Sequence, residues 1–233
     1  MAARFTLFAF LAFAAAPAFA DEMDDALKGL EKAIKEKSKA DIRHFSGIVG
    51  DRFAQAKEDQ KKNALKLVKQ GLSHADSEAK EACLESLSKM DGRAFDVLAP
   101  EFDKAKDSVE YQLKVVGAIG ALKDVKNGLP FLRKLLNYKT VEVTAKAIDA
   151  LGGYKDADLA TKKDLVGDLV KLFSSVTSAA EKPKAQTSDK VKLEKTREPF
   201  QQTLTLLTGV QNVTGADQWQ KWWNETGKKA DKW

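Results

Sequence analysis

One cysteine, two histidines and five prolines in 233 residues remove several kinds of chemistry at once. A lone thiol cannot close an intramolecular disulfide, so the fold must be held by its own core. Cys83 stands among Ala82, Leu84 and Leu87, which reads as a small buried apolar residue rather than a reactive one. His44 and His74 lie outside metal-ligand spacing of each other and of the cysteine, and neither H-E-x-x-H nor C-x-x-C occurs. There is no G-x-S-x-G elbow and no phosphate-cradling glycine loop; Gly117-x-x-Gly120 falls inside a helical pattern. Asp156-x-Asp158 opens like a calcium loop but lacks the turn glycine and the closing glutamate. The expectation is a chain without catalytic site, metal or cofactor.

Long apolar runs are also scarce. The first twenty residues hold Arg4 as their only charge, then an apolar run from Phe5 to Ala16 and the small-residue pair of Ala18-Phe19-Ala20, before Asp21 and Glu22. A positive start, a short apolar core and an A-x-A end make a secretory signal peptide over 1–20, cleaved after Ala20. The run is shorter than the roughly 20 residues of a membrane helix, and no second run follows. The expected product is secreted or periplasmic, with no membrane span. Asn212-Val213-Thr214 and Asn224-Glu225-Thr226 match the glycosylation sequon, which matters only in a host with that machinery.

What the chain does contain is a repeat. Residues 76–91, 108–123 and 140–155 superimpose at an offset of 32. Each copy opens on an N-cap residue (Asp76, Ser108, Thr140), with a glutamate two positions on (Glu78, Glu110, Glu142) facing the positive end of the helix dipole. Three apolar ladders follow: Cys83, Val115 and Ala147; Leu84, Val116 and Ile148; Leu87, Ile119 and Leu151. Their i, i+1, i+4 spacing shares one helical face. Next come Ser88, Gly120 and Gly152, small where two backbones should approach. After each copy a second helix is expected, carrying Val97 and Leu98, then Leu129 and Leu132, then Leu165 to Phe173. Pro100 should delay or kink the first of these.

A helix pair repeated every 30–40 residues predicts an all-α fold of α-solenoid type, in which each pair buries its apolar face against its neighbours. Residues 21–72 read as irregular N-terminal capping helices, the first capped by Asp24 or Asp25, and 73–176 as the three pairs. Residues 177–190, polar and holding Pro183, read as a mobile loop. Residues 191–233 read as C-terminal capping helices: Thr196 caps one with Pro199 in its first turn, and Gly209 ends it.

These residues resemble the HEAT-repeat family within the armadillo-like superhelices. The likeness is carried by Val109-Glu110 with Ile119-Gly120-Ala121-Leu122-Lys123-Asp124, by Val141-Glu142 with Leu151-Gly152, and by Gly128-Leu129-Pro130-Phe131-Leu132. Leu206-Leu207-Thr208-Gly209, with Asp217, Trp219, Trp222 and Trp223, looks like the tail of some secreted bacterial HEAT-repeat proteins. The resemblance implies a fold, not an activity. Trp219, Trp222 and Trp223, at i, i+3, i+4, either seal the end of the array or form an aromatic platform for a sugar or peptide. Trp233 is expected to be frayed and exposed.

The function expected from such a surface is non-catalytic binding of a protein or peptide of unknown identity. The candidate contacts are the polar positions of the second helices, Arg133, Lys134, Lys162, Lys163 and Lys171. Recognition of an anionic envelope polymer or carbohydrate is the alternative. The net charge of +5 is interspersed with acids, so most of it reads as solvated surface. Nucleic acid is not expected, because an exported protein does not normally meet genomic DNA. An enzyme is the third reading, and no constellation in the sequence supports it.

Overall fold

The structure is a computed structural model that describes residues 16–233, with side chains from Glu22 onward. The leader expected over residues 1–20 lies outside the fully described residues. The described chain is all-helical, with eleven α-helices joined by turns and short 3-10 segments. It divides into two compact units, one ending at Met90 and one running from Asp91 to Trp233.

The first unit holds α1 (Ala16–Glu36), α2 (Lys39–Arg52), α3 (Glu58–Gly71) and α4 (Ser77–Ser88). α2 packs on α4 and α1 on α3, with α1 also against α2 and α3 against α4. Leu27, Leu30, Ile42, Val49, Leu67 and Val68 form much of its core. Asp24 and Asp25 do not cap a helix, because α1 begins upstream of them. The Asp24 carboxylate instead accepts from Gln60 Nε2 at 2.8 Å, while Gln60 Oε1 accepts the Lys57 amide at 2.9 Å. One buried glutamine thus caps α3 and ties it to α1. His74 does similar work at the next turn: its Nδ1 accepts the Asp76 amide at 3.0 Å, leaving Nε2–H to donate to the Lys37 carbonyl at 3.3 Å.

The second unit holds α5 (Phe95–Lys104), α6 (Val109–Ala121), α7 (Gly128–Leu135), α8 (Val141–Leu151), α9 (Leu159–Ala180), α10 (Thr187–Thr208) and α11 (Ala216–Glu225). α8 packs against both α6 and α10; α5 packs on α6, α7 on α6 and α8, α9 on α10, and α11 on α9. Gly120 permits a close α6–α8 approach, since a Cβ there would lie 2.6 Å from that of Ala150. Phe95, Phe102, Phe131 and Tyr138 run an edge-to-face seam from α5 to α7, with Phe102 and Phe131 centroids 5.4 Å apart. All nine ladder residues are at most 3% exposed.

Capping differs among the three copies. Asp76 accepts the Glu78 and Ala79 amides and Ser108 accepts that of Tyr111, whereas Thr140 occupies the extended cap position without a side-chain cap bond. The two aspartate caps at Asp76 and Asp158 have carboxyls held below their ordinary range, chiefly by the amides they accept.

Two expectations about helix boundaries are corrected, and of the two outcomes expected at Pro100 the delayed start does not occur. α5 runs through Pro100, whose missing amide would have met the carbonyl of exposed Asp96, a group water can satisfy. The loop expected over 177–190 shrinks to the turn at 181–186, because α9 continues to Ala180 and α10 starts at Thr187. Thr196 and Pro199 lie inside α10 rather than at its start. The Thr196 hydroxyl donates to the Lys192 carbonyl at 2.6 Å, a bond available only within a continuing helix. Tertiary packing overrides the local signal there: Phe200 stacks on Phe173 at 4.8 Å, and Thr203 donates to the Ile148 carbonyl at 2.9 Å. Gly209 ends α10 in the left-handed region, at φ 72°, its amide bonding the Thr205 carbonyl at 2.8 Å.

Candidate functional site

Within the second unit, α7 buries Leu129, Leu132 and Leu135, which turns Arg133 and Lys134 outward at its last turn. α9 buries Leu165, Val166, Leu169, Val170 and Phe173. Its opposite stripe, Asp168, Lys171, Leu172 and Ser175, falls at i, i+3, i+4, i+7 and shares one face. These two polar faces line an open groove of about 480 Å³, whose lining also includes Leu136, Asn137, Leu172 and Ser175. Arg133 Nη2 donates to Asp168 Oδ2 and joins the walls. Lys134 and Lys171 are exposed, line the same groove and have no ionic partner among the described residues.

Of the five candidate contacts, the structure brings Arg133, Lys134 and Lys171 together. Lys162 and Lys163 lie nearer the start of α9, outside the groove lining. Lys162 Nζ sits 6.0 Å from the centroid of the Trp233 ring.

The tryptophans form one packed cluster. Trp219 is fully buried and its ring meets that of Trp222 edge-on at 5.5 Å; Trp222 and Trp223 are half-buried. Trp233 is not frayed. Its ring packs 5.8 Å from Trp222 and 6.0 Å from Trp223, and its Nε1–H donates to the Gly227 carbonyl at 3.2 Å. Gly227 makes this closure feasible, because a Cβ there would come within 2.6 Å of the Trp222 ring. The Trp223 ring lies over Gly167 of α9, so the cluster is seated on that helix. Sequence spacing missed Trp233, since a residue six positions beyond Gly227 returns to the cluster only through a non-helical turn.

Asp168 and the two leucines of the lining were also missed. The stripe of α9 opposite its core was readable from helical spacing, but its match to the end of α7 belongs to tertiary packing.

Perturbed ionisable groups elsewhere have structural causes. Burial pushes the Cys83 thiol up to about 12. Burial, then the charge of Asp124, raises the Tyr154 phenol, which donates to the Asp124 carbonyl at 3.2 Å. Glu31 and Glu110 are lowered by hydrogen bonds from Lys35 and Lys114, one helical turn away. No group of three or more His, Cys, Asp or Glu is placed to hold a metal ion among the described residues. No described helix is long and apolar enough to cross a membrane.

The chain matches no protein-family model, and neither the curated proteins nor the solved structures contain a match to it.

Proposed function

We propose that the chain is a non-catalytic, extracytoplasmic binding scaffold: a HEAT-like α-solenoid that takes a protein or peptide partner on its layer of second helices. The observation that carries this reading is the α7–α9 groove, where charged and apolar side chains share one lining on the second helices, which the repeat pattern assigns to binding. The buried ladders of α4, α6 and α8 support the repeat on which the solenoid reading rests. Perturbed thiol, phenol and carboxyls all have packing, capping or ion-pair causes, so nothing in the proposal calls on catalysis.

The test is site-specific photocrosslinking in the native envelope fraction. A photoreactive residue at Asn137 or Ser175 should give a discrete adduct, and one at exposed Glu110 on α6 should not. Equal adducts at all three positions, or none in the groove, would overturn the reading.

Recognition of an anionic polymer has one observation in its favour: Lys162 Nζ lies 6.0 Å from the centroid of the Trp233 ring, and Lys228, Lys229 and Lys232 are close to Trp233 in sequence. A contact driven by carboxylates must weaken steeply as salt rises. The self-packing of the tryptophan rings argues for the groove as the primary surface.

A further inference from the structure

We propose that the α7–α9 groove takes a short acidic segment of a partner protein, in which carboxylates flank one apolar side chain. This rests on the binding-scaffold reading and specifies the chemistry of the partner.

The argument starts from the charges. Four charged side chains line the groove: Arg133, Lys134, Lys171 and Asp168. Asp168 is engaged by Arg133, so that pair holds α7 to α9 and presents little net charge to a visitor. Lys134 and Lys171 remain, one on each wall, both exposed and both without an ionic partner among the described residues. Many lysines elsewhere among the described residues are also unpaired, although Lys114 meets Glu110 at 2.8 Å and Lys89 meets Asp51 at 3.0 Å. Lys134 and Lys171 differ in lining one cleft together. Two uncompensated ammonium groups across one cleft favour a ligand that is anionic at two separated points.

The apolar part of the lining selects the class of anion. Leu172 is half-buried and, with the largely buried Leu136, adds apolar surface to the lining that holds the two lysines. A polysaccharide of uronic acids would match the lysines but would leave that surface unused. A peptide with an apolar residue between two acidic ones uses both. Asn137 and Ser175 in the lining can hydrogen-bond a peptide backbone. A cleft of about 480 Å³ holds an anchoring side chain and its neighbours, not a whole interface.

The experiment is an amide chemical-shift titration of the full protein with two short peptides of the same length, Ser-Glu-Leu-Asp-Ser and Ser-Lys-Leu-Lys-Ser. The acidic peptide should shift amides at the end of α7 and the middle of α9, saturably, at about tenfold lower concentration than the basic one. The double reversal Lys134→Glu/Lys171→Glu, on exposed positions, should keep the wild-type helical circular dichroism and reverse the preference. Raising the salt from about 50 to 300 mM should narrow the difference. Equal response to both peptides, or shifts confined to other helices, would overturn the proposal. So would an oligogalacturonate that shifts the groove amides as strongly as the acidic peptide.

Failure here is separable from failure of the scaffold reading. If Asn137 crosslinks survive unchanged in the double-reversal variant, binding stands and the acidic-segment proposal falls. If no groove position crosslinks in the wild-type protein, the scaffold reading itself falls.

Discussion

A methyl group added to Gly71 would lie 2.5 Å from the Sγ of Cys83, closer than any relaxed contact allows. That residue closes α3, where the ordinary expectation for Gly→Ala is a gain in helix stability approaching about 1 kcal/mol. Overpacking a well-filled core costs about 1–3 kcal/mol, and here the obstacle is a short, fully buried side chain with little room to turn away. The steric term should win. Gly71→Ala is expected to lower stability in urea denaturation by about 1–2 kcal/mol. Adding Cys83→Ala removes the obstacle, so the double variant should lie above the sum of the two single losses. Strict additivity would show that the two residues are not in contact. The same crowding explains the chemistry of Cys83: a thiol packed against a helix backbone is desolvated, so its thiolate is disfavoured and its role is to fill space.

Helix caps show what could and could not be read from the sequence at the scale of an element. Asp76, Ser108 and Thr140 occupy one register, and their downstream ladders are equally buried, so periodicity located all three helices. It could not separate their caps, because whether a hydroxyl reaches an amide depends on a rotamer that spacing does not set. Ser108 Oγ accepts the Tyr111 amide at 3.3 Å, while the Thr140 hydroxyl makes no such bond. Ser108→Ala should therefore cost about 1 kcal/mol and Thr140→Ala distinctly less, measured by thermal or urea unfolding. Equal losses would mean that Thr140 caps its helix in solution. α10 is the opposite case. Thr196 and Pro199 are good start signals, yet the helix begins nine residues before Thr196, since Phe200 on Phe173 and Lys195 paired to Glu142 at 3.1 Å bind that stretch to its neighbours. Likewise Arg133, Lys134 and Lys171 could be named as outward-facing cations, but Asp168, Leu136 and Leu172 became part of the site only when α7 met α9.

At the scale of the whole chain, the proposed solenoid makes a claim about cooperativity. In an array whose helix pairs touch mainly their neighbours, stability is a sum of local terms, and separate compact units need not unfold together. The sequence supplies two natural reporters. All four tryptophans lie in the second unit, at Trp219, Trp222, Trp223 and Trp233, and the sole cysteine lies in the first, fully buried. The first unit is the smaller one, which lowers the free energy expected to hold it. A brief pulse of thiol reagent at each urea concentration should label Cys83 with a midpoint below that of the tryptophan emission shift. If the two midpoints and slopes coincide, the units unfold as one body and the additive picture fails. Separation of the transitions would support an array built from local contacts, the property that lets one face of such a protein bind while the rest keeps its fold.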